Sequence, residues 1–130
     1  MKNPPLILMV DDEPEIIKIY TTKLNSAGFK IISATNGVEG LEVAKKEIPD
    51  LILLDVKMPI MNGVDLFYEL KKIPELKDSK IAFLTAFSDP NMPETDIKAA
   101  KDMGATDFIK KGSSLDEFVE KVKAYLQPQK

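Results

Sequence analysis

Apolar residues fall along this chain in two rhythms. Short runs are apolar at nearly every position: Leu6-Ile7-Leu8-Met9-Val10, Lys30 to Ala34, Leu51-Ile52-Leu53-Leu54 and Lys80 to Leu84, with a weaker fifth from Thr106 to Ile109. Such runs suit strands covered on both faces, as the strands of parallel sheets are. Between them the apolar residues recur every three or four positions, which predicts helices. From Glu15, the residues Ile16, Ile17, Tyr20, Leu24 and Ala27 keep one face, with Pro14 in the first turn and Gly28 as terminator. Val38, Leu41, Ala44 and Ile48 repeat the pattern up to Pro49, and Val64, Phe67, Leu70 and Ile73 form a third stripe. A fourth helix between Glu94 and Met103 rests on a thin face of Ile97, Ala100 and Met103. The last is the clearest: Leu115, Phe118, Val119, Val122 and Leu126, opened by Ser114 with Glu117 three residues on, the spacing of a capping box. Strands alternating with helices predict an α/β open parallel sheet with helices on both faces.

The 130 residues fit one domain, and neither a repeat, a low-complexity tract nor a linker interrupts them. Ser88 to Pro93 is the longest loop-like stretch, and Gln127 to Lys130 a short polar tail. The net charge is −3, and all 18 cationic residues are Lys. An acidic chain without Arg is poorly suited to reading nucleic acid, which leans on bidentate guanidinium contacts. Without Cys there are no disulfides, thiolate metal sites or thiol catalysis, and without His no imidazole acid–base chemistry. No segment is apolar for long enough to span a bilayer, and the first residues lack the pattern of a signal peptide; a cytoplasmic domain is the expectation.

Polar residues stand at the predicted strand ends: Asp11 and Asp12 after the first, Asp55 after the third, Thr85 after the fourth and Lys111 just past the fifth. Open α/β sheets bind ligands outside the carboxyl ends of their strands. If the first and third strands are neighbours, three carboxylates share a crevice and need compensating positive charge. A hard divalent cation such as Mg²⁺, together with Lys111, answers that need and points to phosphoryl chemistry. Taken singly, each residue has a plainer reading: a helix cap for Asp11-Asp12, a loop for Asp55, a strand end for Thr85, core for Phe108 and solvated charge for Lys110-Lys111. The joint pattern outweighs them.

Val10-Asp11-Asp12-Glu13-Pro14, Leu53-Leu54-Asp55-Val56-Lys57-Met58-Pro59 with Met61-Asn62-Gly63, Leu84-Thr85-Ala86 and Gly104-Ala105-Thr106-Asp107-Phe108-Ile109-Lys110-Lys111 resemble, in order and spacing, the receiver domain of two-component response regulators. The resemblance covers essentially the whole chain, with a core of about residues 5–127. It implies a flavodoxin-like (βα)5 three-layer sandwich with five parallel strands in the order 2-1-3-4-5. It also implies that Asp55 accepts a phosphoryl group from a sensor histidine kinase, a phosphotransfer protein or a small donor such as acetyl phosphate. Asp12, Asp55 and the backbone carbonyl of Lys57 would ligate Mg²⁺ or Mn²⁺, with Asp11 acting through a water. Thr85 and Lys111 would contact phosphoryl oxygens, and Thr85 and Phe108 would form a switch that remodels the surface for a downstream protein partner. A signalling domain is implied, rather than an enzyme turning over an external substrate.

Two departures from the family pattern stand out. Gly112 replaces the Pro that normally follows the family's Lys through a cis bond; a non-proline cis bond costs about 3–4 kcal/mol, so a trans bond or a distorted loop is expected. The residue count from Gly104 favours Lys111 over Lys110 as the site lysine. The stretch from Phe87 to Asp96 is longer than the family norm, and Lys57 and Phe87 occupy positions that tune phosphoryl lifetime in receivers. Rival functions are a phosphorelay carrier, a haloacid-dehalogenase-like phosphatase, which would want an acid where Lys57 stands, and a flavin binder, whose phosphate Asp11-Asp12-Glu13 would repel.

Overall fold

The computed structural model describes residues 1–58, 60–85, 94–112 and 114–127. Phe87 and the stretch Ser88–Pro93 lie outside them. The elements run β1 (Leu6–Val10), α1 (Pro14–Ser26), β2 (Lys30–Ala34), α2 (Gly37–Glu47), β3 (Leu51–Asp55), α3 (Gly63–Lys71), β4 (Lys80–Thr85), α4 (Glu94–Asp102), β5 (Asp107–Lys110) and α5 (Leu115–Tyr125). All strand pairings are parallel, in the order β2-β1-β3-β4-β5. This is the architecture the sequence predicts.

Continuous apolar runs serve two cores because successive side chains of a strand point to opposite faces. Leu8, Val10, Ile52, Leu54, Ile81 and Phe83 face one side, where they meet Ala44 of α2, Leu66, Phe67 and Leu70 of α3 and Ala100 of α4. Ile7, Met9, Leu51, Leu53, Ala82, Leu84 and Ile109 face the other, against Tyr20 and Leu24 of α1 and Phe118, Val119 and Val122 of α5. The Tyr20 and Phe118 rings meet edge-on at 4.7 Å, joining the two helices of that layer. Truncating a fully buried leucine of β3 to alanine costs about 2–5 kcal/mol by the usual transfer and cavity terms.

Helix starts are marked by side chains. Asn36 accepts from the Glu39 N–H at 2.8 Å, Asn62 from Asp65 at 2.9 Å and Ser114 from Glu117 at 3.4 Å. Each such cap contributes about 1 kcal/mol.

Three details of the helical stripes need correction. The third stripe extends to Ile73, but α3 ends at Lys71 and Ile73 is extended at φ −94°, ψ 112°. Pro74 is the cause, since it disfavours helical geometry in the residue before it and opens a separate 3-10 turn, Pro74–Leu76. Val38 and Met103, read as helix-face residues, are 54% and 42% exposed. Val38 falls in the first turn of α2, and Met103 lies past the end of α4.

Candidate functional site

The parallel register brings the carboxyl ends of β1, β3 and β4 level, with Val10 opposite Leu54 and Asp55 opposite Leu84. Asp11 leaves β1 fully buried, its own N–H donating to the Ala34 carbonyl at 3.1 Å. Its Oδ1 accepts from the Glu13 N–H at 2.9 Å, which sets the turn into α1 and leaves Oδ2 directed at the crevice. Asp12, one residue on, is exposed at the mouth. Asp55 closes β3 at 3% exposure.

Lys111 bridges these groups. Its Nζ lies 3.0 Å from Asp55 Oδ1, 3.1 Å from Asp11 Oδ2 and 3.7 Å from Glu13 Oε1. The chain reaches this place because the Lys111 N–H donates to the Thr85 carbonyl at 2.7 Å, extending the β4–β5 ladder by one residue. Gly112 then turns the chain away at φ +84°, a left-handed conformation that favours glycine. The Lys111–Gly112 bond is trans; the cis bond among the described residues is Asn3–Pro4. Lys110 is exposed, one position back along the strand.

The loop after β3 is held equally close. Lys57 N–H donates to Asp55 Oδ1 at 3.3 Å. Gly63 N–H donates to the Val56 carbonyl at 3.0 Å, and a Cβ at Gly63 would sit 2.2 Å from the Asp55 carbonyl oxygen. Only glycine lets the start of α3 approach the backbone of Asp55 this closely. The sequence marks Asn62-Gly63 as a turn; its dependence on close approach is visible only in three dimensions.

The electrostatics are unusual. Burial pushes the Asp55 carboxyl up to about 7, with the Asp11 charge adding to the rise and Lys111 opposing it. Burial also works against the Lys111 charge, but hydrogen bonding and attraction to Asp55 and Asp11 hold its ammonium above the ordinary lysine value. Asp55 Oδ2 remains buried without a hydrogen-bond partner.

Carboxylate oxygens of Asp11, Asp12, Glu13 and Asp55 lie within 4.8 Å of one another. An all-oxygen donor set around an orphaned buried oxygen fits a hard divalent cation. Glu13 is the member that sequence reasoning missed. In the sequence it stands only as part of the acidic run, and its place directly after Asp11-Asp12 is the available signal.

Thr85 ends β4 half-buried beside the crevice, and its carbonyl anchors Lys111. Phe108 stands apart from the carboxylates, in β5. It is half-buried, and its ring stacks on Phe83 at 5.1 Å and 9°. The structure therefore draws Asp11, Asp12, Asp55 and Lys111 together, sets Lys57 and Thr85 at the rim, and places Phe108 in the adjoining core.

Comparison with known proteins agrees with this fold. The chain is 34% identical over 120 residues to sporulation initiation phosphotransferase F of Bacillus subtilis, covering 92% of each chain. It is 36% identical to a probable transcriptional regulator ycf27 of Porphyridium aerugineum, but spans only 48% of that protein. Among solved structures, chemotaxis protein CheY4 of Vibrio cholerae matches with a TM-score of 0.83 at 28% identity, covering 94% of this chain and 98% of the other. Residues 7–123 match the response regulator receiver domain, and with the shared fold and full-length relatives this shows that the chain belongs to the response regulator receiver family.

Proposed function

We propose that the chain accepts a phosphoryl group on Asp55 and signals through the change in surface that follows. The observation that carries this reading is the Asp55 carboxylate itself: one oxygen is ion-paired with Lys111 at 3.0 Å, and the other is buried and unpartnered. That free oxygen is the nucleophile. It forms a bond to phosphorus as the bond between phosphorus and the donor breaks, and the donor departs as acetate or as a neutral imidazole. Lys111, already at the carboxylate, pairs with a phosphoryl oxygen and balances charge as it spreads over the transferring group. Thr85, at the rim, donates its hydroxyl to another. Such chemistry needs little beyond positioning and charge compensation.

Asp11, Asp12, Glu13 and Asp55, with the carbonyl of Lys57, would hold Mg²⁺ or Mn²⁺. When bound, the cation neutralises the charge that the carboxylates and the phosphate bring together. The acyl phosphate would draw Thr85 inward and turn the Phe108 ring, biasing a two-state equilibrium. The donor is a sensor histidine kinase or a phosphotransfer protein, the output a downstream protein, and the setting cytoplasmic. The chain acts as a signalling domain rather than as an enzyme on an external substrate. No helix among the described residues is long and apolar enough to cross a membrane, which accords with that setting.

A second reading has support of its own. A relative named as a phosphotransferase matches along 92% of its length, so a carrier that passes the phosphoryl group onward fits the same chemistry. A phosphatase of the haloacid-dehalogenase kind is disfavoured by Lys57, which stands where the general acid would be needed. Incubation with acetyl phosphate and Mg²⁺, followed by intact mass, tests the proposal. The wild-type chain should gain one phosphoryl group, while Asp55→Asn and a chelator-treated sample should gain none. A wild-type chain that stays unmodified, beside a control receiver that reacts, overturns it.

A further inference from the structure

A ladder of aromatic rings crosses the core beneath the site. Tyr68 meets Phe67 at 5.7 Å within α3, Phe67 meets Phe83 of β4 at 5.4 Å, and Phe83 stacks on Phe108 of β5 at 5.1 Å. Lysines stand over the rings toward both ends of this ladder. Lys71 Nζ lies 5.9 Å from the centre of the Phe67 ring, and Lys101 Nζ lies 5.6 Å from that of Phe108. Lys101 belongs to the last turn of α4, where a cation also complements the partial negative charge of the helix end. Its neighbour Ala100 is fully buried and seats that turn against the sheet.

We infer that Lys101 is a positioning residue for Phe108, its ammonium holding the ring stacked on Phe83 and tying α4 to the aromatic. The inference rests on the proposed role of Phe108 as the switch. A flat ring with one face on a buried aromatic and a cation above it has a defined resting place. An ammonium over an aromatic face is attracted by the ring quadrupole, and at an exposed site the contact shifts an equilibrium by about two- to fivefold. Turning the ring separates it from Lys101, so the motion of one side chain becomes a change in the charge that α4 presents. A ligand for the crevice then works against this contact, and removing the contact favours the turned arrangement.

Two measurements test the idea. In the unphosphorylated chain without metal, the Lys101 ε-methylene protons should be displaced upfield by the ring current. Phe108→Leu should abolish that displacement, whereas Phe67→Leu should leave it. Separately, beryllofluoride with Mg²⁺, a mimic of the acyl phosphate, should bind Lys101→Met about two- to fivefold more tightly than wild type. Lys101→Arg should restore the wild-type affinity. Lys98→Met removes an exposed charge from the same helix and should change nothing.

An undisplaced Lys101 signal, or equal effects of Lys101→Met and Lys98→Met, would overturn the inference. If wild type binds beryllofluoride and Lys101→Met binds it no better, the positioning role alone fails. If wild type does not bind it at all, the switch reading fails and takes the inference with it.

Discussion

Strand β3 is flanked by two aspartates that meet opposite fates. Asp50, just before the strand, accepts the Leu6 N–H on Oδ2 at 2.8 Å and the Lys2 N–H on both oxygens at 3.3 Å. Its neighbourhood is equally complete, with the Ser79 hydroxyl donating to the Pro49 carbonyl at 2.5 Å. Asp55, at the other end, is more deeply buried, yet one oxygen has no hydrogen-bond partner and other carboxylates crowd it. The chain completes the first carboxylate with its own backbone and leaves the second for something it does not contain. Burial without satisfaction is costly, and folds tolerate it mainly where a ligand or a reaction will use the group.

Substitutions should separate the two ends. The largest expected effect is on chemistry: Lys111→Ala should slow phosphorylation by acetyl phosphate about 10²-fold, the usual loss when a preorganised donor to a developing charge is removed. Lys110→Ala should leave the rate nearly unchanged. Equal, mild effects of the two in a time course by intact mass would mean that the ion pair with Asp55 has no part in the reaction.

At the amino-terminal end the effect should fall on stability alone. Asp50→Ala strands the N–H groups of Lys2 and Leu6 and should cost about 1–3 kcal/mol in denaturant unfolding, with phosphorylation unaltered. A variant as stable as wild type would show that the bonds of Asp50 are dispensable.

A further effect has the opposite sign. Because the Asp55 carboxyl is raised to about 7, the folded chain keeps a proton that the unfolded chain releases. Stability from this group is full below the ordinary carboxylate value and is lost as pH rises through about 7. Asp55→Asn has no such loss. Without metal its Tm should therefore rise relative to wild type as pH climbs from about 4 to about 8, and the difference should close again below about pH 4. A pH-independent difference in Tm would contradict the burial argument.

Most of the fold was legible in the sequence because a doubly covered strand leaves a local signal. Leu51 to Leu54 can be recognised without knowing what they touch. Pro74 was legible too, but the apolar spacing of Ile73 concealed its consequence for the end of α3. Asp11, Asp12, Asp55 and Lys111 could be read from their positions at strand ends, since parallel register makes those ends converge. Gly63 and Glu13 were harder. The need for glycine comes from the Asp55 carbonyl eight residues earlier, and Glu13 joins the cluster through the turn that Asp11 imposes on its N–H. The aromatic ladder was hidden because its rings lie far apart in sequence: Phe83 and Phe108 meet only as register partners of β4 and β5, and Phe67 reaches Phe83 only through the packing of α3 on the sheet.

The central claim is that the carboxylate of Asp55 forms the bond to phosphorus. Borohydride reduction of the acetyl phosphate-treated protein, followed by peptide mapping, tests it most directly, because reduction of an aspartyl phosphate leaves homoserine at the modified position. The account predicts homoserine at position 55 and nowhere else; homoserine at 11 or 12, or a phosphorylated chain with Asp55 intact, would contradict it.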